Sequence, residues 1–144
     1  MTTKIAIFAL SGDAACFGHA LLKTLELYEK GYDVKLVIDG PATALVSELT
    51  DQEKPFSLTY RNVKKLGLID YVCKACSLEF GSIKSVEEQG LQLCNNELGH
   101  PSRTQYADMG YDVIESLKYT CPMCHTWDRF EPDSIKSTKL FWIK

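Results

Sequence analysis

No stretch of the 144-residue sequence approaches the roughly 18 uninterrupted apolar residues that a membrane-spanning helix needs, so no membrane span is expected. Nor does a basic run or stripe occur. Sixteen Lys and Arg face 19 Asp and Glu for a net charge of −3, and nucleic acid is not an expected partner. Internal repeats and low-complexity segments are lacking too. The first residues, "MTTKIAIFALSGDAAC", have one Lys and an apolar run that stops at Ser11-Gly12-Asp13. That run provides neither a secretory h-region nor a small-residue cleavage site. It reads as a first strand, and the expected location is cytoplasmic.

What is present is an ordinary globular composition, 45% apolar and 24% charged, together with six cysteines. A chain of this length buries most of its apolar surface without covalent staples. In a reducing compartment stable disulfides are rare, so catalytic thiols and metal ligands become the expected uses of cysteine.

Strand and helix signals alternate along the chain. "KIAIFAL" (4–10) is nearly continuous in apolar residues, as in a strand buried on both faces. Asp13 is placed to cap a helix on which Ala14, Gly18, Leu21, Leu22, Leu25 and Tyr28 recur at helical spacing, with Gly31 as its stop. "DVKLVID" (33–39) is a second strand. Pro41 opens a helix to Thr50, and Pro55 opens another with Phe56, Tyr60, Val63 and Leu66 on one face. "LIDYV" (68–72) is a third strand. Ser85 and Glu88 are spaced as a capping box in a helix that Gly90 ends. "LQLC" (91–94) and "YDVIESL" (111–117) are a fourth and a fifth strand, with a helix from Pro101 to Met109 between them. Such alternation predicts a single-domain, three-layer α/β/α sandwich around a five-stranded, mainly parallel sheet, spanning residues 1–118. Residues 119–144 break the rhythm and form a cysteine-containing C-terminal extension.

In a parallel α/β sheet, ligands collect beyond the carboxyl ends of the strands. Cys73 and Cys76 follow the third strand, Cys94 ends the fourth with His100 six residues on, and Cys121 and Cys124 follow the fifth. Ser11-Gly12-Asp13 and Asp39-Gly40-Pro41 leave the same edge. Every loop of such a fold exits there, so co-location is partly automatic; the enrichment in cysteine is not. Cys73 also stands where a short helix, about 74–80, begins. The exposed N–H groups of a helix start favour a thiolate, and Lys74 adds positive charge, so Cys73 is expected to titrate below an ordinary cysteine's ~8.5. Cys76 lies about one turn on, where it can share the chemistry. Cys16 reads as a core residue and His19 as a surface residue. Asp13 reads as a cap. Asp39 reads equally as a cap or a site residue.

The segments "KIAIFALSGD", "GYDVKLVIDGPA", "GLIDYVCKAC" and "LGHPS", in that order and spacing over residues 3–117, resemble the DsrE/DsrF-like sulfur-relay family, to which the TusD sulfur carrier belongs. The resemblance implies a flavodoxin-like sandwich that assembles as a homo-trimer or homo-hexamer. It also implies a persulfide on a cysteine after the third strand, the position of Cys73. Cys76 and the tail from Cys121 onward depart from the family's pattern. The apolar end "TKLFWIK", with Leu140, Phe141, Trp142 and Ile143, fits a contact surface as well.

Four chemistries share the CxxC spacing. Cys121-Pro-Met-Cys124-His125 matches the haem-attachment pattern, but that attachment occurs outside the cytoplasm. Zinc fits two CxxC pairs, although 44 residues separate them where a compact ribbon has about 15–20; Cys121, Cys124 and His125 are the candidate ligands, with Cys94 and His100 as others. Dithiol redox chemistry fits a CxxC at a helix start, without thioredoxin's strand pattern. Sulfur transfer needs one accessible reactive thiol and little else. The favoured reading is a sulfurtransferase-type carrier that accepts and donates sulfane sulfur through Cys73, assisted by Cys76. Sulfur donor and acceptor proteins are its partners, and no cofactor is required. The rival is a non-enzymatic, zinc-binding assembly or interaction module built on the two CxxC pairs.

Overall fold

The computed structural model describes residues 3–94 and 101–116. In chain order these form β1 (Lys4–Ala9), α1 (Ala14–Glu29), β2 (Asp33–Ile38), a 3-10 turn (Gly40–Thr43) running into α2 (Ala44–Glu48), and α3 (Ser57–Lys65). There follow β3 (Ile69–Val72), α4 (Lys74–Glu79), α5 (Ile83–Glu88), α6 (Arg103–Asp108) and β4 (Asp112–Ser116). The strands make one sheet in the order β3-β2-β1-β4, and every pairing is parallel.

The apolar run of β1 has the cause inferred from its composition. Ile5, Ile7 and Ala9 join the larger core, with Leu36, Ile38 and Val72 from the sheet and Phe17, Leu21, Tyr60 and Val63 from α1 and α3. Ala6 and Phe8 face the other way, against Val37 and Tyr106 of α6. Helices therefore cover both faces of a buried parallel sheet. Gly18 lets α1 and α3 approach: a Cβ there would lie 2.4 Å from the Phe56 ring.

Three expectations need correction. The sheet has four strands among the described residues, not five. Residues 91–94 contribute only an isolated parallel bridge, Leu93 to Val72, flanked by hydrogen bonds from Val72 N–H to the Gln92 carbonyl (2.8 Å) and from Cys94 N–H to the Val72 carbonyl (3.0 Å). The segment begins one residue after Gly90, which has φ +73°, and pairs too briefly to form a ladder. Second, the Ser85–Glu88 capping box does not form. α5 starts after Ser82, and the Ser85 hydroxyl inside the helix instead accepts from Gln89 Nε2 (2.9 Å). Third, the buried face of α1 is carried by Cys16, Phe17, Gly18, Leu21 and Leu27, while Leu22 and Tyr28 are exposed.

Two features of the sheet set the positions of the cysteines. Leu36 pairs with Ile69, but Val37 pairs with Tyr71, so Asp70 is an extra residue in β3. A bulge of this kind shifts the register by one residue. It brings Val72 opposite Ile38, and hence Cys73 beside Asp39. Second, β3 and β4 lie at opposite ends of the order, three strand spacings or about 14 Å apart.

Candidate functional site: two thiols and a carboxylate

Asp39 and Cys73 are the first residues beyond the paired ends of β2 and β3. The Cys73 N–H donates to the Ile38 carbonyl (2.8 Å), which continues the ladder into the site. Cys73 is also the N-cap of α4, as its placement in the sequence suggests. Its sulfur accepts from the Cys76 N–H at 3.3 Å, and its carbonyl accepts from the Ser77 hydroxyl at 2.7 Å. One helical turn therefore aims both sulfurs the same way. Cys76 Sγ donates to Asp39 Oδ1 at 3.5 Å. The ligand atoms of Asp39, Cys73 and Cys76 all lie within 4.8 Å of one another, and all three residues are buried.

Asp39 is held from several directions. Its Oδ1 accepts from the Gly40 N–H (2.8 Å), which makes it the cap of the 3-10 turn. Gly40 itself has φ +56°, a left-handed conformation that favours glycine. The Arg103 guanidinium lies 3.8 Å from Asp39 Oδ2 and 3.0 Å from Glu115 Oε2, stacked over the Phe8 ring at 4.6 Å. A residue of α6 thus reaches across β1 to the end of β2. Nothing in the sequence pattern marks Arg103; only the strand order brings it there.

Burial pushes the Cys73 thiol up, and the charge of Asp39 adds to the shift. The Cys76 N–H opposes it without overcoming it. Burial likewise raises Cys76, with Asp39 adding and the hydrogen bonds from Cys73 and Gly40 opposing. The expected low-titrating Cys73 is therefore corrected. The helix start is there, but α4 has six residues and offers only a small dipole, while the neighbouring carboxylate and the loss of water act the other way.

The other expected site residues divide. Cys16 is core, as expected, and Asp13 caps α1 through Ala15 N–H and Cys16 N–H. His19 is half-buried and packs edge-on to Phe56 at 6.0 Å between ring centroids. Cys94 is buried and opens on a separate cavity of about 460 Å³ with Asp70, Tyr106 and Lys35 in its lining. In that cavity the Tyr106 hydroxyl donates to Asp70 Oδ2. His100, Cys121, Cys124 and His125, with the whole extension 119–144, lie outside the described residues. Among the described residues no helix is long and apolar enough to cross a membrane.

Over 98 residues, 67% of this chain and 77% of the relative, the sequence is 36% identical to MJ0733 of Methanocaldococcus jannaschii, an uncharacterized protein. The chain belongs to the family of that archaeal protein. An uncharacterized protein of Archaeoglobus fulgidus is 47% identical over 45 residues, which are 31% of this chain and 74% of that protein. No family model matches the chain, and no solved structure matches it.

Proposed function

We propose that this chain is a sulfur carrier of the DsrE/DsrF-like kind, working through the Cys73–Cys76 pair. The observation that supports the reading is the pairing itself: two thiols on one helical turn, at the carboxyl edge of a parallel sheet, with a backbone N–H already directed at the Cys73 sulfur. Cys76 is the more accessible of the two, 9% exposed against 0% for Cys73, so Cys76 meets the donor first.

The exchange is electron-neutral. Cys76 sulfur attacks the outer sulfur of a donor persulfide; the new S–S bond forms as the donor's S–S bond breaks. The Cys76 proton passes by way of Asp39, its hydrogen-bond acceptor, to the departing donor sulfur, which leaves as a thiol. Asp39 thereby serves as the general base for a thiol that the resting site keeps protonated. A second exchange of the same form moves the sulfane sulfur to Cys73, where burial shields it from water until an acceptor thiol docks. In this reading the pair acts in a homo-trimer or homo-hexamer with separate donor and acceptor proteins.

The test is loading of the reduced full-length chain with a small persulfide, followed by peptide mass mapping. The expected result is a gain of one sulfur atom on the peptide carrying Cys73 and Cys76 and none on those carrying Cys16 or Cys94. A chain that gains no sulfur, or gains it only at Cys94, overturns the proposal.

A further inference from the structure

We propose that Asp39, Cys73 and Cys76 form a binding site for one thiophilic divalent cation of the zinc class, held by a carboxylate oxygen and two thiolates. This stands on geometry and does not depend on the pair carrying sulfur. Tetrahedral zinc takes sulfur at ~2.3 Å and carboxylate oxygen at ~2.0–2.2 Å, which places ligand atoms roughly 3.5–3.8 Å from each other. The three atoms here already lie within 4.8 Å of one another, so side-chain rotation of about 1 Å closes them on an ion. Zinc is a borderline cation, which the mixed sulfur and oxygen set suits better than a hard, all-oxygen ion.

The surroundings fit as well. The Cys76 N–H directed at Cys73 Sγ (3.3 Å) is a donor that supports a thiolate ligand. Gly40 N–H fixes the orientation of the Asp39 carboxylate. Charge is largely offset as well. Two thiolates and a carboxylate carry −3, a divalent cation brings this to −1, and the Arg103 guanidinium, shared with Glu115 at 3.0 Å, lies 3.8 Å from Asp39 Oδ2 against what remains. Buried charge is tolerated where it is paired and hydrogen-bonded. Binding releases the two thiol protons to solvent, with no change of oxidation state. Among the described residues the cluster has three ligands, which leaves one coordination position for water or an exogenous thiol. That is the arrangement of a site with an open position rather than a closed structural one. An ion held there blocks both sulfurs, so metal-bound and sulfur-loaded states exclude each other.

The experiment is a cobalt(II) titration of reduced, chelator-treated, full-length protein carrying Cys121→Ser and Cys124→Ser, which removes the tail pair as a competitor. One equivalent of Co²⁺ should produce sulfur-to-cobalt charge-transfer absorption, and Zn²⁺ should abolish it. Adding Asp39→Asn, nearly isosteric and still able to accept from Gly40 N–H, should weaken binding by at least about tenfold, the loss that even supporting residues of metal sites bring. Cys76→Ala serves as a second variant and should remove the charge-transfer band. No band in the tail variant overturns the site, as does an affinity that neither Asp39→Asn nor Cys76→Ala changes. Sulfur loading of the same sample separates the two proposals. Loading without cobalt binding overturns only this one, and cobalt binding without loading overturns only the carrier reading.

Discussion

Cys94 and the Cys73–Cys76 pair are similarly buried, and each sits near an aspartate, yet the two neighbourhoods differ in what they can do. Asp70, beside Cys94, accepts from the Tyr106 hydroxyl, which burial and that carboxylate hold protonated. Its acceptor capacity goes to a phenol that does not ionise. Asp39 accepts instead from a thiol and a backbone N–H and faces the Arg103 guanidinium. In the roles proposed above, its thiol partner exchanges a proton for sulfur or for a cation. Burial does not make a cysteine chemical. A second thiol within reach, and a carboxylate engaged by groups that can leave it, do.

The sharpest break in this comparison comes from removing one thiol on each side. Cys76→Ser should reduce sulfur loading by more than about tenfold, because a hydroxyl at this position is not a thiolate nucleophile. Cys94→Ser should leave loading unchanged within the error of peptide mass mapping. Equal losses in both variants would mean that the two neighbourhoods act as one.

Next in size is the effect of charge. Asp39 raises both thiols of the pair, so Asp39→Asn removes one cause of the shift and lowers them. In metal-free protein, thiolate absorbance followed against pH should show Cys73 and Cys76 ionising at lower pH in Asp39→Asn and unchanged in Asp70→Asn, while sulfur loading at Cys76, which uses Asp39 as its proton acceptor, should slow. The same shift links to stability. A thiol raised in the folded chain is protonated where the unfolded chain's thiol has ionised, so its contribution is intact below the unfolded value of ~8.5 and is lost as pH rises beyond it. Denaturant midpoints should fall from about pH 8.5 to about pH 10, and the slope should flatten in Cys73→Ala.

A smaller effect lies in the turn that presents Asp39. Gly40→Ala puts a Cβ at φ +56° and 3.4 Å from the Leu10 carbonyl oxygen. The left-handed conformation costs a non-glycine residue about 1–2 kcal/mol, which a urea midpoint would register. Because Gly40 N–H orients the Asp39 carboxylate, the same variant should also slow loading at Cys76, while the Cys94 neighbourhood is unaffected.

Much of this fold is visible in the composition of its segments. The nearly continuous apolar run of residues 4–10, the Asp13 cap and the strand read at 33–39 and found at Asp33–Ile38 all follow from period and capping chemistry. The site is half visible. Cys73 at a helix start is a local fact and reads from the sequence, whereas Arg103 is a long-range one that depends on α6 lying across β1. Asp39 reads with equal weight as cap and as site because it is both: one oxygen caps the turn and receives the thiol. The sequence misleads on the direction of the Cys73 shift because the helix start is local, while the opposing carboxylate is 34 positions away in sequence and adjacent only through the β2–β3 register. That register in turn depends on one bulged residue, Asp70, which no apolar pattern announces.

The smallest expected effect concerns the second CxxC. Its simplest role would be to exchange sulfur with the first pair inside one chain. The strand order argues against that. Cys73 leaves β3 at one edge, and β4 ends with Ser116 at the other, about 14 Å away across β2 and β1. Direct exchange between two cysteines requires their Cα atoms to come within ~7 Å. From Ser116 to Cys121 the chain has five residue steps, at most ~3.3–3.6 Å each, which exceeds the roughly 7 Å left to close, but a straight line between the two strand ends crosses the carboxyl end of β2, where Arg103 already lies against Asp39. Cys121→Ser with Cys124→Ser should therefore change first-pair loading by less than about twofold, well under the effect of losing a reacting thiol. Loading should be measured at both low and high protein concentration, since in the proposed oligomer a second subunit would supply the pair without crossing the sheet. A loss at every concentration would place the tail cysteines at the first pair within one chain, and a loss only at high concentration would place them there across subunits.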